Sequence, residues 1–252
     1  MLRTTGRIRT IIKLLTVAAV ALVCLFFVLC PEDETVQITK DASAPAADDG
    51  QGSQPVISDE AQVFEPVFEV DEIPEDIRLK MTDVTISAGS KMTFDSLSYL
   101  SMTYVGYDGK EYIGHMVVDS ALANEVICIF KELYEVRFPI ERMNLAFEYG
   151  GSDELSMQDN NTSAFNDRPI TGGSGLSYHQ LGRAIDINPL VNPYVKGDVV
   201  LPAGSDNYLD REEDCTGMIT ADSECVRIFK KYGWTWGGDW TSLKDYQHFE
   251  KR

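Results

Sequence analysis

An uninterrupted apolar run from Leu14 to Leu29, entered through Arg3, Arg7, Arg9 and Lys13, sets the first limit on what this chain can fold into. Counted from Ile11, with Lys13 reaching its charged end toward the headgroups, the stretch approaches the roughly 20 residues a helix needs to cross a bilayer. Residues 1–30 carry four bases and no acid. The basic flank is therefore expected to stay cytoplasmic and everything after Cys30 to lie outside. A cleaved signal peptide is the main rival, and a lipoprotein cysteine at Cys30 is another. Neither has its usual small residues: the run ends Phe27-Val28-Leu29-Cys30, and Ala42-Ser43-Ala44 lies well downstream. The expectation is one uncleaved transmembrane helix in the cell membrane, single-pass, with an extracytoplasmic domain behind it.

The segment after the run is poorly suited to packing. Residues 31–70 are dominated by Pro, Ala, Asp, Gly, Ser and Gln, which bury too little apolar area to offset their ordering entropy. Residues 31–76 hold 14 acidic side chains and 1 basic one, and that charge favours an extended spacer. The whole chain carries a formal charge of −18. Such a balance excludes a nucleic-acid partner, since phosphate contacts need a basic surface. The organisation expected is a basic flank and anchor at 1–30, an acidic linker at 31–70 and a folded domain at 71–252, β-rich over 71–118 with a core over 119–252. No obligate protein partner is evident.

Ordered sequence is expected from about Ile73. Tyr99 to Gly106 and Tyr112 to Val118 read as hairpin strands around the turn signal Tyr107-Asp108-Gly109-Lys110. Asp119 or Ser120 looks like a helix cap. From Ala121 to Val136, Leu122, Val126, Ile129, Phe130 and Leu133 recur at helical spacing. Met143 to Tyr149 reads as a strand, 150–178 as a long polar loop, Arg183 to Asn188 as a short strand, and Ser223 to Tyr232 as a helix with Gly233 past its end. Cys128 reads as buried. Cys215 and Cys225 form a disulfide or stand apart; spacing alone does not decide between the two.

The chain has three histidines, and two of them sit near carboxylates. In Ser177-Tyr178-His179-Gln180-Leu181-Gly182-Arg183-Ala184-Ile185-Asp186, Gly182 permits a tight bend after His179. Strand alternation then puts Asp186 on the face of small Ala184, where there is room for an ion. His179 and Asp186 can meet at one metal. In Asp245-Tyr246-Gln247-His248, His248 offers a third ligand, and Asp245 can reach the water such a metal would activate. Two imidazoles and a carboxylate suit Zn2+, one per chain, with one position left open. Taken singly, each segment reads as readily as a structural histidine–aspartate hydrogen bond. His115 has no carboxylate partner in view and reads as structural. Trp234, Trp236 and Trp240 read as core or as groove lining.

The pattern Ser-x-His-x-x-Gly-x-Ala-x-Asp over Ser177–Asp186, with Asp-x-x-His at Asp245–His248, resembles the zinc D-Ala-D-Ala peptidase family. That family includes vancomycin-resistance carboxypeptidases and dipeptidases and endolysins that cut the L-Ala–D-Glu bond. Trp234–Trp240, Asn161–Asn166 and Asn188–Pro193 are similar to the same family, so the resemblance covers about residues 120–250. It implies an α+β fold: a small, mainly antiparallel sheet flanked by helices, related to the hedgehog signalling domain. It further implies His179, Asp186 and His248 as zinc ligands, Asp245 as catalytic acid/base, and Arg168 and Ser177 as substrate-binding residues. Arg168 has an alternative as a surface ion pair with Asp167, and Ser177 as a turn residue. The substrate class implied is a peptidoglycan stem peptide, cut as a D-alanyl-D-alanine carboxypeptidase. Asp245 stands where the dipeptidase branch has glutamate, which is closer to the L-alanyl-D-glutamate endopeptidases. A non-catalytic module binding zinc and cell-wall peptide is the reading of a different class.

Overall fold

The computed structural model describes residues 64–167, 177–213 and 215–252. The apolar stretch at 11–30, the linker up to residue 63 and Arg168 lie outside the described residues. Among the described residues, no helix is long and apolar enough to cross a membrane.

The fold is α+β, and among the described residues every ladder between two strands is antiparallel. The first sheet joins β1 (Phe68–Asp71), β2 (Leu97–Val105) and β3 (Glu111–Asp119) in the order β1-β2-β3. Its first strand precedes Ile73. The expected hairpin is β2–β3, with Tyr99 opposite Val117, and Gly109 takes φ +76° at the turn. Helix α1 (Glu75–Met81) leads out of β1, and α2 (Ala123–Glu135) packs its apolar stripe on the hairpin. Leu100, Met102, Met116 and Val118 meet Val126, Ile129, Phe130 and Leu133 in one buried cluster.

Asp119 does not cap α2, which begins four residues later. Its Oδ1 accepts from Ala121 N and its Oδ2 from Arg183 Nε at 2.7 Å. The end of β3 is thus tied to the segment that leaves His179.

Two further expectations are corrected. Met143–Tyr149 is not a strand. Met143 O accepts a single ladder bond from His115 N, and the chain then coils into a 3-10 turn at Ala146–Tyr149. The expected loop at 150–178 contains α3 (Asp153–Gln158), started by Ser152, whose side chain accepts from Leu155 N. Only Ser156 and Met157 of α3 are buried, too few to show a period.

The second sheet has the order β4 (Ala184–Asp186), β9 (His248–Glu250), β7 (Thr235–Trp236). The third has β6 (Val199–Leu201), β5 (Tyr194–Lys196), β8 (Lys244–Asp245). Helix α4 (Glu224–Lys231) carries Val226, Ile228 and Phe229 into the core. Ser223 caps it and Gly233 follows at φ +76°. Cys215 and Cys225 are not bridged to each other; Cys225 is fully buried on α4.

Central strand β9 fixes its own register. Phe249 is completely buried, stacked on Phe229 with ring centroids 4.0 Å apart. Burying a phenylalanine contributes about 1.5–3 kcal/mol. A slip of one residue would turn Phe249 outward and swing both neighbours into the core. His248 and Glu250 are therefore held on the opposite face, side by side.

Candidate metal centre

Cross-strand pairing builds the site. In the β4–β9 ladder, Asp186 lies opposite His248 and Ala184 opposite Glu250. The far edge of β4 pairs with Ser163, whose N–H and C=O both bond to Asp186. This brings Ala164 alongside, and its carbonyl accepts from His179 Nδ1 at 2.7 Å. A carbonyl only accepts, so Nδ1 carries the proton and Nε2 is left with its lone pair.

His179 enters from a 3-10 turn at Tyr178–Leu181. Ser177 Oγ accepts from His179 N, and Gln180 Oε1 accepts from Ser177 N. Gly182 closes the turn at φ +64°, where a Cβ would stand 2.5 Å from Asp119 N. Only glycine allows this turn to sit against the end of β3.

Three donors converge. His179 Nε2 lies 3.2 Å from Asp186 Oδ2, His248 Nδ1 lies 3.0 Å from Asp186 Oδ1, and the two ring nitrogens are 3.3 Å apart. One donor atom from each residue falls within 4.8 Å of the others, and all three side chains are buried. Burial opposes ionisation of Asp186, yet the two histidines hold its carboxyl well below the usual range. Burial also opposes charge on His248, but hydrogen bonds to Asp186 and Glu250 push it up to about 10. Such a set of two imidazoles and one carboxylate fits a first-row divalent ion and leaves a coordination position open.

Asp245 approaches from the other sheet. Strand β8 pairs with β5, placing Asp245 opposite Tyr194. Gly237 lets the two segments touch: a Cβ there would lie 2.5 Å from Asp245 O. Asp245 Oδ1 is sealed from solvent and has no hydrogen-bond partner. Burial, joined by the charge of Asp186 and opposed by His248, raises its carboxyl to about 7. Asp245 and the three donors line one cavity of about 360 Å³, at the small end of ligand pockets. Tyr194, Leu201 and Leu243 give it an apolar wall, and Trp240 stands with its ring 5.4 Å from that of His248.

The structure therefore brings together His179, Asp186, His248, Asp245 and Ser177. Arg168 is outside the described residues. Trp234 and Trp236 are core, and only Trp240 of the three tryptophans lines the cavity. His115 stacks on Tyr99 away from the site. Glu250, which reading of the sequence passed over, also lines the cavity, with Oε2 3.3 Å from His248 Nε2. Its signal was the spacing of two from His248, which means a shared face once the segment is recognised as a strand.

A family model described as D-alanyl-D-alanine carboxypeptidase matches residues 171–251. The matched third of the chain contains Ser177, His179, Asp186, Asp245 and His248, while the β1–β3 sheet and α2 lie before it. No curated protein and no solved structure matches the chain.

Proposed function

We propose, from the match of residues 171–251 to a family model described as D-alanyl-D-alanine carboxypeptidase, that the chain is a zinc peptidase acting on peptidoglycan stem peptides. The observation that carries this reading is the meeting, in the lining of one small cavity, of three metal-suited donors with the carboxylate of Asp245.

His179, Asp186 and His248 hold one Zn2+. Zinc in such a site supplies Lewis acidity, which polarises a peptide carbonyl and acidifies water. The chain's own residues do the rest. Asp245 takes a proton at its carboxylate from the attacking water and returns it to the leaving amine nitrogen. A carboxylate so placed can both take the proton and return it, and in the metal-free protein burial already raises this carboxyl to about 7. Ala164 keeps His179 in the tautomer that presents Nε2. Ser177 holds the turn and borders the cavity, where its hydroxyl meets the substrate. Arg168 binds a substrate carboxylate through its planar fork. Trp240 and the Tyr194–Leu201 wall exclude water from the scissile bond.

The bond cut is that of a D-alanyl-D-alanine carboxypeptidase. Asp245, in place of glutamate, supports the L-alanyl-D-glutamate endopeptidase as a second reading. A binding module without turnover has no chemical use for an acid/base carboxylate in the same cavity as the donors. Residues 11–30 anchor the chain, the acidic segment that follows spaces it from the membrane, and the folded domain, which begins with β1 at Phe68 rather than at residue 71, is the peptidase domain outside.

Mass spectrometry of purified muropeptides incubated with the protein tests all of this. Loss of one terminal D-Ala supports the carboxypeptidase, and release of a longer peptide supports the endopeptidase. Unchanged muropeptides with a zinc-loaded protein would overturn the enzyme reading.

A further inference from the structure

We propose that Glu250 is a positioning residue for the metal centre, holding His248 in the orientation and tautomer that present Nδ1 to the ion. This role rests on the metal-peptidase reading above and adds a residue to it.

Geometry carries the inference. His248 turns Nδ1 toward Asp186 and His179, at 3.0 Å and 3.3 Å. Its other nitrogen, Nε2, then has to bear the proton and donate it. Glu250 Oε2 stands 3.3 Å from Nε2. The Glu250 side chain is 7 % exposed, and its second oxygen accepts from Arg252 Nε at 3.1 Å. A buried carboxylate is costly unless paired, and both oxygens of this one are committed.

Backbone pairing prevents Glu250 from being placed elsewhere. It lies in the central strand, opposite Ala184 on β4 and Thr235 on β7. Ala184, fully buried, is the cross-strand neighbour on the same face. A larger side chain there would compete for the volume that the Glu250 carboxylate fills. The smallness of Ala184 thus serves this second carboxylate as well as the ion. Metal-bound histidines commonly donate their free N–H to a carboxylate, which fixes the ring and raises its basicity, and loss of that partner costs about 10–100-fold in metal affinity.

The test measures the zinc dissociation constant of the full chain by competition with a chromogenic chelator. Three proteins are compared: wild type, Glu250→Leu, which fills the volume without an acceptor, and Glu250→Gln, which keeps an acceptor oxygen. Glu250→Leu is expected to bind zinc about 10–100-fold more weakly, with Glu250→Gln recovering most of the loss. A purely structural ion pair with Arg252 predicts no such rescue pattern. In ¹⁵N spectra of the zinc-loaded wild type, His248 is expected as the Nε2–H tautomer with Nδ1 ligated. That measurement needs no variant to fold. Zinc affinity of Glu250→Leu within about twofold of wild type would overturn the role. So would a glutamine variant as weak as the leucine variant, or an Nδ1–H tautomer. A wild-type chain with no zinc affinity would defeat the metal reading itself, and is recognised before any variant is compared.

Discussion

Asp245→Asn separates what a carboxylate does for the reaction from what it does to the fold. Asn preserves the shape and removes the basic oxygen. General acid–base help contributes about 10²–10⁴-fold, so turnover should fall by that range, a rise of about 3–5 kcal/mol in the barrier. Stability should move the other way. Folded Asp245 keeps its proton up to about 7, against 3.8 when unperturbed, because burial penalises the charge. A carboxyl whose folded pKa is raised contributes stability that is full below its unfolded pKa and is lost as pH rises through the folded value. The window here is therefore about pH 4 to 7.

The full shift corresponds to about 4 kcal/mol. Part of the residue stays in contact with solvent, so about 2–4 kcal/mol is the working figure. Two assays read the two effects. Single-turnover cleavage with measured zinc content should show a slow enzyme that keeps its metal. Urea unfolding of chelator-stripped protein should show the Asn variant more stable by that amount at pH 8 and equal to wild type near pH 4. Near wild-type turnover would refute the proton-transfer role. Loss of zinc would mean that Asp245 is a ligand, and an unchanged stability profile would mean that its Oδ1 is not penalised by burial.

The ligands should fail in another way. His179→Ala and Asp186→Asn are both expected to lose stoichiometric zinc as well as rate, and one zinc per chain by elemental analysis of either variant would show the ligand set to be wrong. Gly182→Ala should destabilise by about 2–5 kcal/mol, adding a left-handed backbone cost of about 1–2 to an overpacking cost of about 1–3, because its Cβ would meet the backbone at Asp119 and Val118; chemical denaturation reads it. Protease added to intact protoplasts should degrade the domain if residues 11–30 anchor it outside, and a protected domain or a mature chain starting after residue 44 would count against that topology.

Long periodic elements were legible in the sequence. The β2–β3 hairpin has nine residues a side around a turn signal, rich in apolar and β-prone side chains, and α2 repeats its stripe over more than three turns. The donor set was legible for a different reason: the segments Ser177–Asp186 and Asp245–His248 resemble the motifs of the zinc D-Ala-D-Ala peptidase family, whereas each histidine taken singly left a structural reading open. Short elements hid. Strand β9 has three residues, and so Glu250 was not seen to share a face with His248. The alternation Met143, Leu145, Phe147 imitates a strand, but Met143 is spent on packing against Gly114, and Leu145 and Phe147 on packing with the buried group of Ile73, Met81, Leu97 and Phe165, rather than on a ladder. A Cβ on Gly114 would meet Met143 at 2.4 Å, a contact between segments that no local pattern announces. The pairing of Asp186 with His248 joins residues 62 apart, which depends on sheet topology and leaves no local mark.

The proposed base stands on a different sheet from two of the proposed ligands, Asp186 and His248, and that division gives the last prediction. Asp245 is carried by β8, and His248 by β9. Only Tyr246 and Gln247 separate them, so the position of the base relative to the metal is set by how those two residues are clamped. Tyr246 O accepts from Trp236 Nε1 at 2.9 Å, its N donates to Pro193 O, and Gln247 O accepts from Ile187 N. The ring of Tyr246 lies under Arg211, whose guanidinium is 4.6 Å from the ring centroid. Arg211 is in turn fixed by the carbonyls of Val191, Tyr208 and Ile219 and by Asn192 Oδ1. Lysine has a charge but neither the planar fork nor the stacking face, so Arg211→Lys should loosen the clamp while leaving His179, Asp186 and His248 in place. A displacement of the base by about 1 Å can cost about 10²-fold in rate. The expected phenotype is a kcat lowered by about 10–100-fold with zinc stoichiometry unchanged. A folded Arg211→Lys enzyme with wild-type kcat would show that Trp236 and the backbone pairings hold the base without help. A variant that lost zinc would show that the two sheets move as one body, so that the base cannot be displaced without its metal ligands.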